Sequence, residues 1–220
     1  MPRPYYEHAG ITIFHGDCRE VLPTINSVDL VLTDPPYGLG EARGKNRSRT
    51  NLRVRAVPKD YGVSAWDDAP PRRWIFDWLM DMSRQQIIWG GNFFGLPASS
   101  CWLVWDKDNG ASDFADCELA WTNFDKAVRK LTYRWNGMLQ EPGRPKEDRW
   151  HPTQKPEAVI RWALGHATSV ASVLDPFMGS GTTLRVCKDA GLTAIGIEAE
   201  ERYCEIAAKR LSQEVFAFDG

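Results

Sequence analysis

Asp34-Pro-Pro-Tyr37 follows Val28-Asp-Leu-Val-Leu-Thr33, a β-branched, largely apolar run that reads as a buried strand. Open α/β sheets bind ligands at the carboxyl ends of their strands, so this turn stands where chemistry is done. The exocyclic amine of a nucleobase is a poor nucleophile, because its lone pair is delocalised into the ring. The Asp34 carboxylate suits one amino hydrogen and the Pro35 carbonyl the other. Pro36 keeps Pro35 extended and gives that carbonyl a fixed direction. Holding both hydrogens favours a more tetrahedral nitrogen whose lone pair can attack a methyl group. Tyr37 adds a π-face for the base. Taken alone, the four residues also describe a plain strand-ending turn.

A second turn, Leu174-Asp-Pro-Phe-Met-Gly-Ser-Gly-Thr-Thr183, also follows a strand and opens a helix. Gly179 and Gly181 let backbone approach a ligand closely, with Ser180 between them. The helix N-terminus and the Thr182 and Thr183 hydroxyls suit an anionic group such as a carboxylate. Glu198 ends the next strand, near the ~20-residue offset at which an acidic residue meets a ribose diol. Leu184 stands where a dinucleotide fingerprint needs its third glycine, and Thr182 follows Gly181 where a P-loop needs lysine. The pattern fits an adenosine ligand without a pyrophosphate. A tight strand-to-helix turn is the plainer alternative.

The elements that must hold these turns alternate. Strands are expected at 11–14, 28–33, 86–89, 102–105, 172–174 and 193–197, with 118–124 a further candidate. Pro70-Pro71 opens a helix with Trp74, Ile75, Trp78, Leu79 and Met82 on one face, and Trp74 and Trp78 read as core. Helices are also expected at 156–167, at 182–190 with Gly191 as cap, and at 199–214. Residues 125–150 read as irregular, with Pro142, Gly143 and Pro145 as breakers. The fold class is α/β, a mostly parallel sheet with helices on both faces, in one domain over residues 1–220.

The chain has 220 residues, 43% hydrophobic and 25% charged, with a formal net charge of -2, so overall charge does not announce a nucleic-acid partner. Five cysteines, none in Cys-x-x-Cys spacing, and four scattered histidines point away from a disulfide framework and from a metal site. No apolar run reads as a signal peptide or a membrane span, so the expected location is the cytoplasm.

Taken together, the two turns resemble the beta class of amino-methylating DNA methyltransferases. In that class Asp-Pro-Pro-Tyr precedes Phe-x-Gly-x-Gly, as Asp34-Pro-Pro-Tyr37 precedes Phe177-Met-Gly-Ser-Gly181 here. His151-Pro-Thr-Gln-Lys-Pro156, just before a helix, is a third motif characteristic of the class. The resemblance implies a permuted Rossmann-like sheet of about seven strands. It implies S-adenosylmethionine as cofactor, DNA as partner and a target base flipped out of the duplex. It assigns Asp34, Pro35, Pro36 and Tyr37 to catalysis. It assigns Asp175, Phe177, Gly179, Ser180, Gly181, Thr182 and Thr183 to the cofactor, and Glu198 to its ribose. Asp17, with Cys18 beside it, matches the acidic position that accepts from the cofactor's adenine amino group. A turn aspartate is the plainer reading of Asp17. Thr153 and Lys155 would line the methionine end, unless Lys155 is a solvated charge at a helix entry. No metal is implied.

Arg43, Lys45, Arg47, Arg49, Arg53, Arg55 and Lys59 stand against only Glu41 and Asp60 in residues 41–60. A basic loop at 39–65 beside the catalytic turn reads as a phosphate-binding arm or as a solvated surface loop. A second basic group, Lys126, Arg129, Lys130 and Arg134, with Arg144, Lys146 and Arg149 beyond it, falls in the segment 112–150. The class places target recognition there. The segment is short, which favours a short recognition site or one shared across a homodimer. Trp121 and Phe124 are candidates to sandwich the base against Tyr37. Asp34 at the head of its turn favours adenine N6; the rivals are cytosine N4, methylation of RNA or a protein amide, and a DNA-binding module without activity.

Overall fold

The computed structural model describes residues 2–38, 69–110, 115–136, 139–144, 146–151 and 153–213. The basic segment holding Arg43, Lys45, Arg47, Arg49, Arg53 and Arg55 lies outside the described residues.

β1 (Tyr6–His8) and β2 (Ile11–His15) form an antiparallel edge hairpin, and the short α1 (Cys18–Val21) follows. β3 (Val28–Thr33), α2 (Arg73–Asp81), β4 (Ser83–Trp89), β5 (Trp102–Asp106), β6 (Cys117–Thr122) and β7 (Arg129–Thr132) come next. A two-stranded ribbon, β8 (Trp135–Asn136) with β9 (Leu139–Gln140), leads to α3 (Glu157–Leu164). β10 (Ser172–Asp175), α4 (Thr182–Asp189), β11 (Thr193–Glu198) and α5 (Glu201–Ser212) complete the order.

Nine strands form one sheet in the order β1-β2-β11-β10-β3-β4-β6-β5-β7. The central strands β2, β11, β10, β3 and β4 are mutually parallel, and β6 runs antiparallel between β4 and β5. This is the permuted Rossmann-like arrangement that the motif order implies. It exceeds the expected strand number because β1 and β7 extend its two edges. β7, β8 and β9 all fall in the stretch expected to be irregular. Their apolar residues are too few to give a period of two, and β7 forms only by pairing with β5.

β3 and β10 lie side by side in the middle of the sheet, so the two chemistry-bearing turns leave it as neighbours. Leu30, Val31, Leu32, Val173 and Leu174 are almost wholly buried, as expected for strands covered on both faces. Helix α2 buries Ile75, Phe76, Leu79 and Met82, whereas Trp74 is 41% exposed. The buried face is rotated from the expected one, because Phe76 enters the cluster around Ile88 and Trp121. Trp74 is therefore not core; it lies tilted against Trp78 at the surface.

Candidate functional site

The carboxyl ends of β2, β3, β10 and β11 open into one cleft of about 500 Å³. Each strand end contributes a different chemistry. Asp17 and Cys18 follow β2, Asp34 and Pro36 follow β3, and Asp175 ends β10, with residues 176–180, Thr182 and Thr183 after it. Glu198 closes β11, and Thr153 and Lys155 approach from the segment before α3. Gly181 is buried behind the lining, with φ +80°, and a Cβ there would stand 2.8 Å from the Ala207 Cβ. That position requires glycine because α5 packs against the turn.

Glu198 is the carboxylate at the β11 end of the cleft. Its Oε2 accepts from the Gly179 N–H at 3.0 Å and its Oε1 from the Glu200 N–H at 2.8 Å. Burial, reinforced by the Glu200 charge, pushes this carboxyl up to about 7. Asp17 caps α1 by accepting from the Arg19 N–H at 2.8 Å, and its ion pair with Arg19 lowers its carboxyl. It is a turn aspartate and a cleft residue at once. Asp175 is buried beneath the cleft, accepting from the Thr33 hydroxyl at 2.7 Å and the Phe177 N–H at 3.2 Å. Burial raises it to about 6, against the hydrogen bonds from Thr183 and Thr33. Thr183 thus supports Asp175, and Arg210 donates to the Ser180 carbonyl at 2.6 Å.

The Asp34-Pro-Pro-Tyr37 turn is tied to the His-Pro-Thr-Gln-Lys-Pro segment. Tyr37 Oη donates to Asp34 Oδ1 at 2.7 Å. Lys155 Nζ lies 2.5 Å from Asp34 Oδ2 and donates to Tyr37 Oη at 3.1 Å. The Lys155 side chain is 5% exposed, so the alternative of a solvated helix-entry charge is excluded. Burial holds the Asp34 carboxyl above its ordinary value, against the pull of Lys155. Pro35 is buried and Pro36 lines the cleft.

Trp121 and Phe124 do not face Tyr37. Trp121, on β6, packs with Phe76 and Ile88, and Phe124, just past the end of β6, joins the main core. Phe93 instead stacks on Tyr37, with ring centroids 4.9 Å apart and planes 20° apart, and is 46% exposed. Its one sequence signal was its place after the strand-ending Gly90-Gly91, without any periodicity. The cleft also includes His151, Gln154 and Tyr203, of which only the first two fell in a motif. Burial drives the His151 imidazole down to about 3, so it is neutral, and it packs on Tyr203 at 4.4 Å.

The second basic group is not gathered at the cleft. Lys126 donates to the His166 carbonyl at 2.7 Å, and Arg129 pairs in register with Leu103, both toward the strand-start end of the sheet. Lys130 pairs with Asp106 and Arg134 with Asp108, nearer the end that carries the cleft.

The family model for N6/N4 methyltransferases, described as DNA methylase, matches residues 104–209. The Type II methyltransferase M2.LlaDCHI of Lactococcus lactis subsp. cremoris is 29% identical over 97% of this chain and 93% of its own. M2.DpnII of Streptococcus pneumoniae is 27% identical, covering 97% of this chain and 94% of its own. Among solved structures, the M1.HpyAVI–SAM complex superposes with a TM-score of 0.54 at 23% identity, over 92% of this chain and 100% of its own. The cytosine-N4-specific PvuII DNA methyltransferase gives 0.59 at 15% identity, over 98% and 91%. The site and these matches define a class first, a Rossmann-like methyltransferase. The family model and these relatives support an S-adenosylmethionine-dependent adenine-N6/cytosine-N4 DNA methyltransferase.

Proposed function

We propose that this chain methylates the N6 amino group of adenine in DNA, using S-adenosylmethionine and a base flipped out of the duplex. The observation that carries the reading is the position of Asp34. It stands at the rim where the cofactor cleft meets the Tyr37–Phe93 aromatic pair. The cleft fits the cofactor. The Glu198 carboxylate bonds only to backbone N–H donors among the described residues, which leaves lone pairs for ribose hydroxyls. Asp17 stands at the end of the neighbouring strand for an adenine amine.

When bound, S-adenosylmethionine supplies an electrophilic sulfonium methyl group. Asp34 and the Pro35 carbonyl hold the two amino hydrogens of the target, so the nitrogen lone pair faces the cleft. The nitrogen–carbon bond would form as the methyl carbon–sulfur bond breaks, leaving a neutral thioether, and the surplus proton would pass along its hydrogen bond to the Asp34 carboxylate, whose negative field stabilises the ammonium-like nitrogen meanwhile. Tyr37 and Phe93 supply stacking area that offsets part of the few kcal/mol that flipping costs. The chain acts as one methyltransferase unit. Residues 39–65 serve as a phosphate-binding arm, and 112–150 as a short recognition segment, shared across a homodimer where the site is longer. Of the second basic group, Lys130 and Arg134 lie nearer the cleft end of the sheet and are the members we assign to phosphates.

The test is tritiated-methyl transfer to unmethylated plasmid DNA, RNA and protein, followed by mass spectrometry of the digested product. N6-methyladenine in DNA alone is expected, and Asp34→Ala should abolish it while the protein still folds. N4-methylcytosine alone would overturn the base assignment, and label only in RNA or protein would overturn the substrate.

A further inference from the structure

Glu118 belongs to none of the sequence motifs, yet it is one ion pair away from the catalytic turn. It sits at the start of β6, which runs antiparallel to its neighbours, so this end lies level with Trp105 near the carboxyl end of β5. Its Oε2 lies 3.0 Å from Lys155 Nζ, and its Oε1 is 2.5 Å from Lys107 Nζ. An ammonium has three hydrogens to donate, and those of Lys155 are spent on Asp34, Glu118 and the Tyr37 hydroxyl. Its cation also lies 5.2 Å from the centre of the Trp89 ring, which is wholly buried. Lys155 therefore has no water-filled position to retreat to, and its place is set by the two carboxylates on either side.

This arrangement answers a difficulty in the reading of Asp34. A carboxylate that polarises an amine must keep its negative field, and a lone buried lysine at 2.5 Å would cancel it. We propose that Glu118 is a positioning residue for methyl transfer. It holds Lys155 and shares its charge, so that Lys155 fixes Asp34 and Tyr37 in place without neutralising Asp34. The proposal rests on the assignment of Asp34 as the group that receives the target amine.

The groups facing Asp34 are Tyr37 from its own turn, Lys155 from the segment before α3, Glu118 from β6 and Asp175 from β10, with Lys107 behind Glu118. Burial raises Asp34, Lys155 lowers it and Glu118 raises it. Burial also raises Glu118, but the Lys155 and Lys107 cations outweigh it and bring Glu118 down to about 2, so its charge is present across the working range. Two substitutions must then act in opposite directions on one observable. Removing the Glu118 charge leaves Lys155 to Asp34 alone and lowers the Asp34 carboxyl. Removing the Lys155 charge raises it.

The experiment is the pH profile of single-turnover methyl transfer to unmethylated plasmid DNA, for the full chain and for Glu118→Gln, Glu118→Asp and Lys155→Met. Cofactor affinity is measured beside each. Glu118→Gln should move the acid limb to lower pH and cut the plateau rate by about tenfold, with cofactor affinity within about twofold. Lys155→Met should move the limb to higher pH, and Glu118→Asp should recover most of the rate. Limbs that stay in place, or that move the same way in both variants, would overturn the proposal. Where Glu118→Gln fails to fold, the double variant Glu118→Gln with Lys155→Met carries the test, read against Lys155→Met alone. With Lys155 gone Glu118 has nothing to position, so the two should turn over within about twofold of each other; a further tenfold loss in the double variant overturns the proposal. A wild-type chain that labels no DNA would instead refute the assignment of Asp34 itself, and this inference with it.

Discussion

On the proposed assignment of Glu198 to the cofactor's ribose, its carboxyl should set a pH window for cofactor binding. It is held at about 7, by burial first and the Glu200 charge next. Ribose hydroxyls donate to the ionised form, so binding draws a proton off the fraction that is still protonated. With a folded value of about 7, the ionised fraction rises from roughly one tenth at pH 6 to roughly nine tenths at pH 8, and affinity should improve about tenfold across that range. The sign for the free protein is the reverse. Glu198 and Asp175, the latter at about 6, are both raised, so their contribution to stability is full below the ordinary carboxylate range. It is lost as pH rises through those values. The thermal shift on adding cofactor should therefore grow from pH 6 to pH 8, while the melting temperature of the free protein falls. His151, down at about 3, stays neutral throughout, and Asp17 is held low by Arg19, so neither contributes to this window. Calorimetric titration in two buffers of different ionisation enthalpy would show release of about half a proton at pH 7. Glu198→Gln should bind more weakly and with flat affinity across the range. A flat profile in the wild type, or net proton uptake on binding, would refute the reasoning.

Gly90 has φ +68°, and a Cβ there would lie 2.1 Å from the Tyr37 ring, so Gly90→Ala should displace Tyr37. DNA methylation should fall at least about tenfold, with a stability loss of about 1–3 kcal/mol by chemical denaturation and cofactor affinity kept. Phe93→Ala removes the exposed partner of Tyr37, and it should weaken binding of single-stranded DNA by about 1–3 kcal/mol without changing cofactor affinity. Neutralising Arg47, Arg49, Arg53 and Arg55 together should flatten the salt dependence of duplex binding, by up to about 0.9 in log-log slope per lost phosphate contact. An unchanged slope would make that segment an ordinary surface loop.

The two central turns were legible because their chemistry is local. Buried strands announce themselves by runs such as Leu30-Val-Leu32, and the turn that ends such a strand must face the ligand edge of the sheet. The spacing between Gly179 and Glu198 was local in the same way, and the structure joins the two residues by a direct hydrogen bond. Tryptophan positions were less legible. Trp74 and Trp78 share a helical spacing, yet α2 turns Phe76 inward and leaves Trp74 at the surface, a rotation set by Ile88 and Trp121 beneath it. Trp121 fits a base-stacking role by type, but the β6 register places it opposite Ile88 and Trp102, inside the sheet's packing.

What sequence could not carry is the reversal of β6. A parallel strand in that place would send Glu118 to the strand-start end and bring Thr122 toward the cleft. Because β6 runs back between β4 and β5, the acidic residue arrives at the ligand edge. Its partner Lys155 comes from a motif 37 residues further along the chain. Lys107, from just beyond β5, seals the far side of the carboxylate. The four charges alternate in sign from Asp34 through Lys155 and Glu118 to Lys107, a sequence in which no buried ion lacks a partner. An alternating row of this kind holds its inner members in place more firmly than a single pair would. On the proposed assignment of Asp34, it also keeps the Lys155 charge shared at the point where the target amine would arrive.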